Sequence, residues 1–387
     1  MEISKNRGEI MTIKLYDKDP YQISFEANVV SCAKYGEKYD VVLDQTLFFP
    51  EEGGQNCDKG TIHDIDVLDV QIKDHVIHHY LSAPVDGKVN GTIDFDYRYS
   101  NMQNHSGEHV LSGIVHSLYG LNNVGFHLGD HEITTDYDGF LSKKQLNDIE
   151  NKVNQVILEH KSIKCYYPRD LQHLEYRSKK EIEGDIRIVE IEDVDMCACC
   201  APHVRSTSEI GLFKIIKAIK YKKGMRIYFL CGKRAIADYQ VKHDEVIRIS
   251  NILSSPAYLV SHNVQRILDE NNHLKQTIFM LKKQMIERTC QSLKQADNYI
   301  EFVEDMDPSL QQYYLNQLFI KSKNMAAVFV GKDNDYRFMI AATDDARIYI
   351  SLLKEKHIVK GGGKKDIVQG TVVASQKEIL NILKNKM

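Results

Sequence analysis

The chain has 387 residues, of which 43% are hydrophobic, and a formal net charge of -4. A chain of this length and composition suffices for about two to three domains with buried cores. The slightly negative net charge does not indicate binding of nucleic acid. No run approaches the roughly twenty apolar residues needed to span a bilayer, and residues 1–10 contain no apolar signal core, so we expect a cytoplasmic protein. Eight cysteines, three of them clustered, are typical of reduced thiols with one metal site and not of a disulfide framework.

Residues 12 to 95 alternate apolar and polar positions in short runs separated by Asp and Gly, which predicts a small β-barrel or curled sheet. We place this N-terminal domain at residues 1–97. Within it, Pro50 is followed by the pair Gly53 and Gly54. Paired glycines indicate a loop whose backbone approaches a ligand closely, although an ordinary hairpin connection explains them as well.

The apolar spacing changes to three and four from Arg98 to about Gly120, which predicts a helix. This helix carries His105 and His109, which lie four residues apart and therefore on the same face. Two imidazoles in this arrangement can bind one metal ion, but a tetrahedral zinc site needs further ligands. A second cluster later in the chain combines thiols with an imidazole, in Cys197, Cys199, Cys200 and His203.

The remainder of this region alternates strand and helix patterns without a regular βαβ rhythm. Residues 141–159 form a predicted helix whose start is marked by Ser142 and Gln145, a capping-box pattern. Strand patterns lie on both sides of that helix. We therefore predict an α+β domain at residues 98–233, in which a sheet wraps around the histidine helix.

The last part of the chain divides into a helical segment at residues 234–304 and a compact α/β domain at residues 305–387. Heptad-like apolar positions from Val264 to Met285, with Asn271 at one of them, fit an antiparallel helical hairpin or a dimer seam. Three strands are predicted in the α/β domain, at residues 325–330, 337–342 and 348–353.

Two segments are rich in cations and are candidates for contact with phosphate. The run at 214–226 contains no acid, and its cations are Lys214, Lys217, Lys220, Lys222, Lys223 and Arg226. Near the C-terminus, glycines stand beside lysines ahead of a predicted helix, which suits a phosphate backbone, at Gly361, Gly362, Gly363, Lys364 and Lys365. A solvated strand face and a flexible loop are the respective alternatives.

Five segments in a fixed order carry a resemblance to a known family. They are FFPEEGGQNCDKG at 48–60, RYSNMQNHSGEHVLSG at 98–113, GFHLGD at 125–130, CACCAPHVRSTSEIGLFKI at 197–215 and KGGGKKDIVQG at 360–370. In sequence and spacing they resemble the long form of the stand-alone alanyl-tRNA editing proteins, which are relatives of the editing and C-terminal domains of alanyl-tRNA synthetase. The likeness covers the chain from about residue 12.

The resemblance implies an enzyme that deacylates tRNA for alanine when it is wrongly charged with serine, with glycine as a further candidate. It implies a zinc ion held by His105, His109, Cys199 and His203. It also implies an aminoacyl pocket lined by the GFHLGD strand and closed by the FFPEEGGQ loop, with Gly53, Gly54, Gln55 and His127 as candidate substrate contacts. The basic run and the C-terminal domain would then contact the tRNA, and the helical segment or the C-terminal domain would form a homodimer.

The chain departs from the family's pattern at two places. Ala201 and Pro202 replace the usual Gly-Thr before His203, and proline removes an N–H donor. Glu108 stands where the family more often has a neutral residue. Its carboxylate is a candidate catalytic group that would orient or deprotonate a water molecule; a solvated helix carboxylate or a hydrogen-bond partner of a histidine is the alternative.

Two other classes of function fit parts of the sequence. The segment from His105 to His109 also satisfies HxxEH, a zinc-peptidase motif in which the glutamate is the general base. That hypothesis gives no role to Cys199, His203 or the glycine-rich tail. The second alternative is a tRNA-binding module whose zinc is structural and which hydrolyses nothing.

Overall fold

The computed structural model describes residues 11–130, 132–170, 173–178 and 185–384. The fold mixes α and β structure, as predicted, and divides into two compact units, Met1–Val246 and Ile247–Met387. The bounds of the four predicted domains stay predictions, and residues 1–10 of the first domain lie outside the described residues. Among the described helices, none is both long and apolar enough to cross a membrane.

The first unit begins with eight strands, which are β1 (Ile13–Lys14), β2 (Ser24–Tyr35), β3 (Lys38–Leu43), β4 (Gln45–Thr46), β5 (Gly60–Ile62), β6 (Ile65–Lys73), β7 (Val76–Leu81) and β8 (Lys88–Ile93). Six of them close into a barrel in the order β2-β3-β7-β6-β5-β8, while β1 pairs with β4. Alternate residues such as Val67, Val89 and Ile93 point into the barrel core, which explains the period of two in the sequence.

Helix α1 (Phe95–Tyr119) follows the barrel and carries the two histidines. It begins at Asp94, whose side chain accepts a hydrogen bond from the Tyr97 N–H at 3.0 Å. The predicted start at Arg98 was therefore three residues late. Almost every residue from Arg98 to Val115 is buried, polar side chains included, because the barrel and two sheets surround the helix.

The first unit continues with β9 (Asn123–Leu128), β10 (Ile133–Tyr137), α2 (Lys143–Leu158), β11 (Ile163–Tyr166), β12 (Ile188–Ile191), β13 (Asp195–Ala198), β14 (Phe213–Tyr221) and β15 (Gly224–Cys231). Helix α3 (Gly232–Ile252) begins in the first unit and ends in the second. The capping box predicted at Ser142 is present at the start of α2. An antiparallel sheet in the order β14-β15-β10-β9 packs one face against α1 and α2, and β11-β12-β13 form a smaller sheet.

The second unit contains α4 (Val260–Ser292), β16 (Ala296–Val303), α5 (Pro308–Lys321), β17 (Ser322–Lys332), β18 (Asp335–Ala342), α6 (Arg347–Lys354), β19 (Ile358–Gly363), β20 (Ile367–Val373) and α7 (Gln376–Lys384). Its sheet has the order β16-β17-β18-β20-β19. Buried side chains on both faces of this sheet pack against its helices. The unit is thus an α/β structure around one sheet.

Two predictions in the second unit were wrong. Residues 348–353, predicted as a strand, belong to helix α6, in which Ile350 and Leu353 are the buried residues. A short apolar run fits the period of a strand as well as that of a helix. Here the buried residues are three apart, which is the helical spacing. The glycines 361–363 do not form a loop ahead of a helix, because they lie in the edge strand β19 and pair with β20.

The heptad-like positions of α4 are exposed. Ile278 is 53% exposed, Leu281 54% and Met285 68%. Both predicted uses of these positions, an antiparallel helical hairpin and a seam between two copies of the chain, stay predictions.

Candidate metal centre

His105, His109, Cys199 and His203 meet at one point in the first unit. One ligand atom from each lies within 4.8 Å of the others. The Cys199 Sγ is 3.5 Å from Nε2 of His105 and 3.4 Å from Nε2 of His203. The three histidines are buried and the cysteine is half-buried. Helix α1 thus supplies one half of the cluster, and the segment after β13 supplies the other.

The second ring nitrogen of His105 and that of His203 are held from outside the cluster. Nδ1 of His105 lies 2.8 Å from Oε1 of Gln55, and Nδ1 of His203 lies 3.0 Å from Oγ of Ser106. An amide oxygen can only accept, so His105 donates from Nδ1 and its Nε2 keeps a free lone pair. Such partners fix the tautomer and the orientation of a metal-binding histidine.

His109 is oriented by a carboxylate. Its Nδ1 lies 3.1 Å from Oδ2 of Asp195. Arg177 donates two further hydrogen bonds to Asp195, at 2.7 and 2.8 Å, so the buried carboxylate is paired on both sides. A carboxylate behind a histidine is a common arrangement at zinc sites.

The charges favour Cys199 as a thiolate ligand. Burial alone would raise the pKa of its thiol, but the electrostatic effect of the neighbouring His105 and the contacts with the three imidazoles hold that pKa well below its ordinary value. Burial lowers the pKa of His203 to about 3, which keeps that ring neutral. By contrast, burial and the neighbouring Cys199 raise the pKa of Cys200 well above its ordinary value.

The donor set fits a zinc ion. Three imidazoles and one thiolate are ligands that zinc prefers, and four donors suit its tetrahedral coordination. A further buried donor lies behind the cluster, because Nε2 of the fully buried Gln55 has no hydrogen-bond partner within the described parts of the chain. A second group, formed by His109, Asp195 and Cys197, also brings its ligand atoms within 4.8 Å, but it shares His109 with the first.

The glycine-rich loop docks on β9. The Leu128 N–H donates to the Gly54 carbonyl at 2.6 Å, and the Asn56 N–H donates to the Leu128 carbonyl at 3.2 Å. Gly54 has φ +84°, and a Cβ there would lie 2.3 Å from the carbonyl oxygen of Phe126. The sequence predicted that the backbone of this loop approaches a ligand closely; in the structure it approaches strand β9. It places Gln55 against His105.

His127 lies outside the cluster. The ring of Phe126 contacts the ring of His105, with centroids 4.8 Å apart, and neighbouring residues in a strand point to opposite faces. His127 is accordingly exposed on the other face of β9. There it lines an open cavity of about 410 Å³ with Asn56, Gly129, Asp130 and Glu132.

Glu108 is buried and its carboxylate is engaged by neighbouring polar side chains. The Ser112 hydroxyl donates to it at 2.5 Å, and the Asn123 amide donates to the same oxygen. Ser112 in turn bonds the Tyr137 hydroxyl at 2.9 Å. The contacts link α1 to β9 and β10, which agrees better with a positioning role than with a general base.

The cations of the basic run lie on the hairpin formed by β14 and β15. Carboxylates from other elements partner three of them: Glu150 lies 2.6 Å from Lys214, Glu132 lies 3.7 Å from Lys217, and Asp136 lies 2.6 Å from Arg226. Lys220 lies in β14, and Lys222 and Lys223 are exposed at the hairpin turn. In the second unit, residues 361–365 are exposed at the sheet edge.

Sequence reasoning missed the side chains that orient the histidines. Ser106, Asp195 and Arg177 belong to no motif that predicts a metal site, although Asp195 lies in the same strand as Cys197. Only a three-dimensional structure brings them together, because Ser106 and Asp195 contact histidines that are distant in sequence, and Arg177 acts through Asp195.

Two family models match parts of the chain. Residues 186–228 match the family described as the threonyl and alanyl tRNA synthetase second additional domain, and residues 14–96 match the class II (A) tRNA synthetases. The chain is 28% identical to the alanyl-tRNA editing protein AlaX-L of Pyrococcus horikoshii, over 97% of this chain and 98% of that protein.

Two alanine–tRNA ligases are similar over nearly the whole chain. The ligase of Methanococcus maripaludis is 30% identical over 94% of the chain, and that of Ignicoccus hospitalis is 31% identical over 98%. The chain spans less than half of either ligase, 42% and 43% respectively. The resemblance predicted from the five segments is confirmed: the chain resembles the long-form alanyl-tRNA editing proteins over almost its entire length and is related to the corresponding region of alanyl-tRNA synthetase.

Proposed function

We propose that the protein is a cytoplasmic trans-editing hydrolase that removes serine from tRNA for alanine, with glycine as a second candidate amino acid. Similarity to an alanyl-tRNA editing protein over 97% of the chain supports this proposal. The observation that carries it is the convergence of His105, His109, Cys199 and His203 at one buried point.

These four side chains would hold one zinc ion through three imidazole nitrogens and the Cys199 thiolate. When bound, zinc would polarise the ester carbonyl of the aminoacyl group or lower the pKa of a bound water to about 7. The ester that joins an amino acid to the terminal ribose is an activated acyl group, so hydrolysis by a positioned water needs no covalent intermediate.

Gln55 is the residue that we expect to contact the substrate. Its Oε1 is committed to His105, whereas its buried Nε2 has hydrogen-bonding capacity to spare. A buried donor left without a partner is costly, and a substrate oxygen would satisfy it. A site that hydrogen-bonds the serine hydroxyl discriminates strongly against alanine, which lacks that group.

Contact with the tRNA is proposed through the exposed lysines at the β14–β15 turn, Lys222 and Lys223, and through the lysine-bearing edge strand of the second unit. Phosphate contacts of this kind release counterions. Binding of tRNA should therefore weaken steeply as the salt concentration rises, and a flat response would contradict this assignment.

One observation favours a second candidate, a tRNA-binding module with a structural zinc. Four protein ligands complete a tetrahedral shell, as in structural sites, whereas catalytic sites keep an open position. The peptidase alternative gains no such support, because the Glu108 carboxylate accepts hydrogen bonds from Ser112 and Asn123. Release of serine from seryl-tRNA by the purified protein separates hydrolase from binding module; stable esters in the presence of zinc would eliminate the hydrolase.

A further inference from the structure

The sheet β14-β15-β10-β9 has one face in the core and one face toward solvent. Ile227 and Phe229 of β15 point into the core. On the opposite face, strand register aligns Lys217 with Tyr228, Tyr228 with Thr134, and Thr134 with His127. These four residues therefore form one row across all four strands, which we call the outer row. Lys217 and His127 are exposed, Tyr228 is half-buried and Thr134 is buried.

Cations lie against aromatic rings on this outer face. The Lys217 Nζ is 3.9 Å from the centroid of the Tyr228 ring, and the Arg226 guanidinium is 3.8 Å from that of Tyr221. Both tyrosines are half-buried, and Ile219 beside them is 42% exposed. Proteins bind single-stranded nucleic acids with this combination: aromatic rings on an open sheet stack on the bases, and cations beside them contact the phosphates.

The outer row ends beside the loop that carries Gln55, on the face of β9 opposite to the metal cluster. At the β9 end, His127 and Asn56 line the same open cavity. Asn56 follows Gln55 in the docked loop, and Gln55 contacts His105. A strand of nucleotides lying along the row would therefore end beside the loop that closes over the candidate site.

The charges indicate that phosphate attraction alone is modest on this face. Asp136 makes two hydrogen bonds with Arg226, at 2.6 and 2.8 Å, and Glu132 lies 3.7 Å from Lys217. Since carboxylates offset these cations, a ligand must gain affinity from the rings as well. Bases in a duplex hide their faces, whereas unpaired bases expose them for stacking.

We propose that the outer row binds the single-stranded 3′ end of the tRNA, with bases stacked on Tyr228 and Tyr221 and with Lys217 contacting phosphate. This inference rests on the proposed function and specifies which part of the substrate the sheet receives. It assigns recognition of unpaired nucleotides to tyrosines, in addition to the lysines of the basic run.

The test is equilibrium binding of a fluorescently labelled single-stranded RNA ending in ACCA to the full-length protein. Tyr228→Leu should weaken binding about tenfold by removing the stacking surface, whereas Tyr228→Phe should bind like the wild type. Tyr35→Leu, which changes a tyrosine 63% exposed on the barrel, is the matched control and should have no effect. Lys217→Gln should weaken binding and reduce its salt dependence, which tests the row even if Tyr228→Leu fails to fold. Unchanged binding by both variants would overturn the proposal.

A second measurement separates this surface from the chemistry. Seryl-adenosine carries the ester but lacks the nucleotides that precede the terminal one. Tyr228→Leu should lower the ratio of the hydrolysis rate on seryl-tRNA to that on seryl-adenosine about tenfold; an unchanged ratio would contradict the role of the row. If the wild type cleaves neither ester, the proposed function fails, while RNA binding still decides the role of the outer row.

Discussion

The Oε1 atom of Gln55, in the loop of the N-terminal barrel, lies 2.8 Å from Nδ1 of His105 on helix α1. This contact joins the barrel to the candidate metal centre. A second connection lies nearby, where the buried Arg98 of α1 bonds the buried Asp58. The barrel is thus part of the site's construction, and its loop decides how His105 is oriented.

Replacing Gln55 by Leu should impair the site without unfolding the chain. The variant keeps the volume of the side chain but loses the acceptor that orients His105, and loss of such a partner typically costs about 10- to 100-fold in metal affinity or activity. Zinc titration and deacylation rates measure the effect. Gln45→Leu, at a residue whose amide donates to the Glu26 carbonyl, should change neither. Wild-type values for Gln55→Leu would contradict the role given to this contact.

Replacing Gly54 by Ala should disturb the loop itself. The added Cβ would lie 2.3 Å from the Phe126 carbonyl oxygen, so the loop must move away from β9, and a displacement of about 1 Å can cost about a hundredfold in rate. Gly87→Ala is the matched control, because Gly87 also has a positive φ, +68°, but no atom of the residues that the structure describes lies within 4 Å of its Cβ position. We expect deacylation to fall for Gly54→Ala and to persist for Gly87→Ala. Equal activity of the two would show that docking of the loop is unimportant.

Part of this arrangement could be predicted from the sequence. The apolar spacing from Arg98 to Gly120 predicted a helix, the four-residue separation of His105 and His109 put both rings on one face, and the resemblance supplied the second pair of ligands. The contacts of Gln55, Asp195 and Ser106 with the histidines span 50, 86 and 97 residues. No local pattern predicts such contacts, because hydrogen bonding between distant side chains leaves no periodicity.

Charge pairing in the basic run at 214–226 could not be predicted from the sequence either. Its lysines form an uninterrupted cationic pattern in the sequence, but Glu150 and Asp136, on other elements, pair with Lys214 and Arg226. Residues 348–353 illustrate a different limit, since an apolar run of this length fits a strand as well as a helix. Only packing in the second unit makes it helical.

Replacing Cys199 by Ala should remove the metal. The cluster then loses its only thiolate and retains three imidazoles, so metal analysis of the purified variant should find little zinc. Cys197→Ala, at a buried cysteine in the same stretch, should keep one equivalent as in the wild type. The opposite pattern, with zinc lost only from Cys197→Ala, would favour the group of His109, Asp195 and Cys197 instead.

Replacing Arg98 by Leu should destabilise the first unit. Arg98 and Asp58 are both fully buried, and Arg98 also donates to the Leu47 carbonyl at 2.6 Å. Removing one partner of a buried pair leaves an uncompensated charge and costs about 3–5 kcal/mol of unfolding free energy. Lys88→Met breaks an exposed pair with Glu26 and should cost less than about 1 kcal/mol. Urea unfolding measures both, and similar values would contradict the importance of the buried pair.

The most direct test of the central claim compares two substrates that differ by one hydroxyl. Purified protein is incubated with tRNA for alanine charged with serine or with alanine, and release of each amino acid is followed with and without a zinc chelator. We predict that serine is released roughly a hundredfold faster or more, and that chelation or Cys199→Ala abolishes the difference. Equal stability of both esters, unaffected by zinc, would contradict the assignment of this protein as an editing hydrolase.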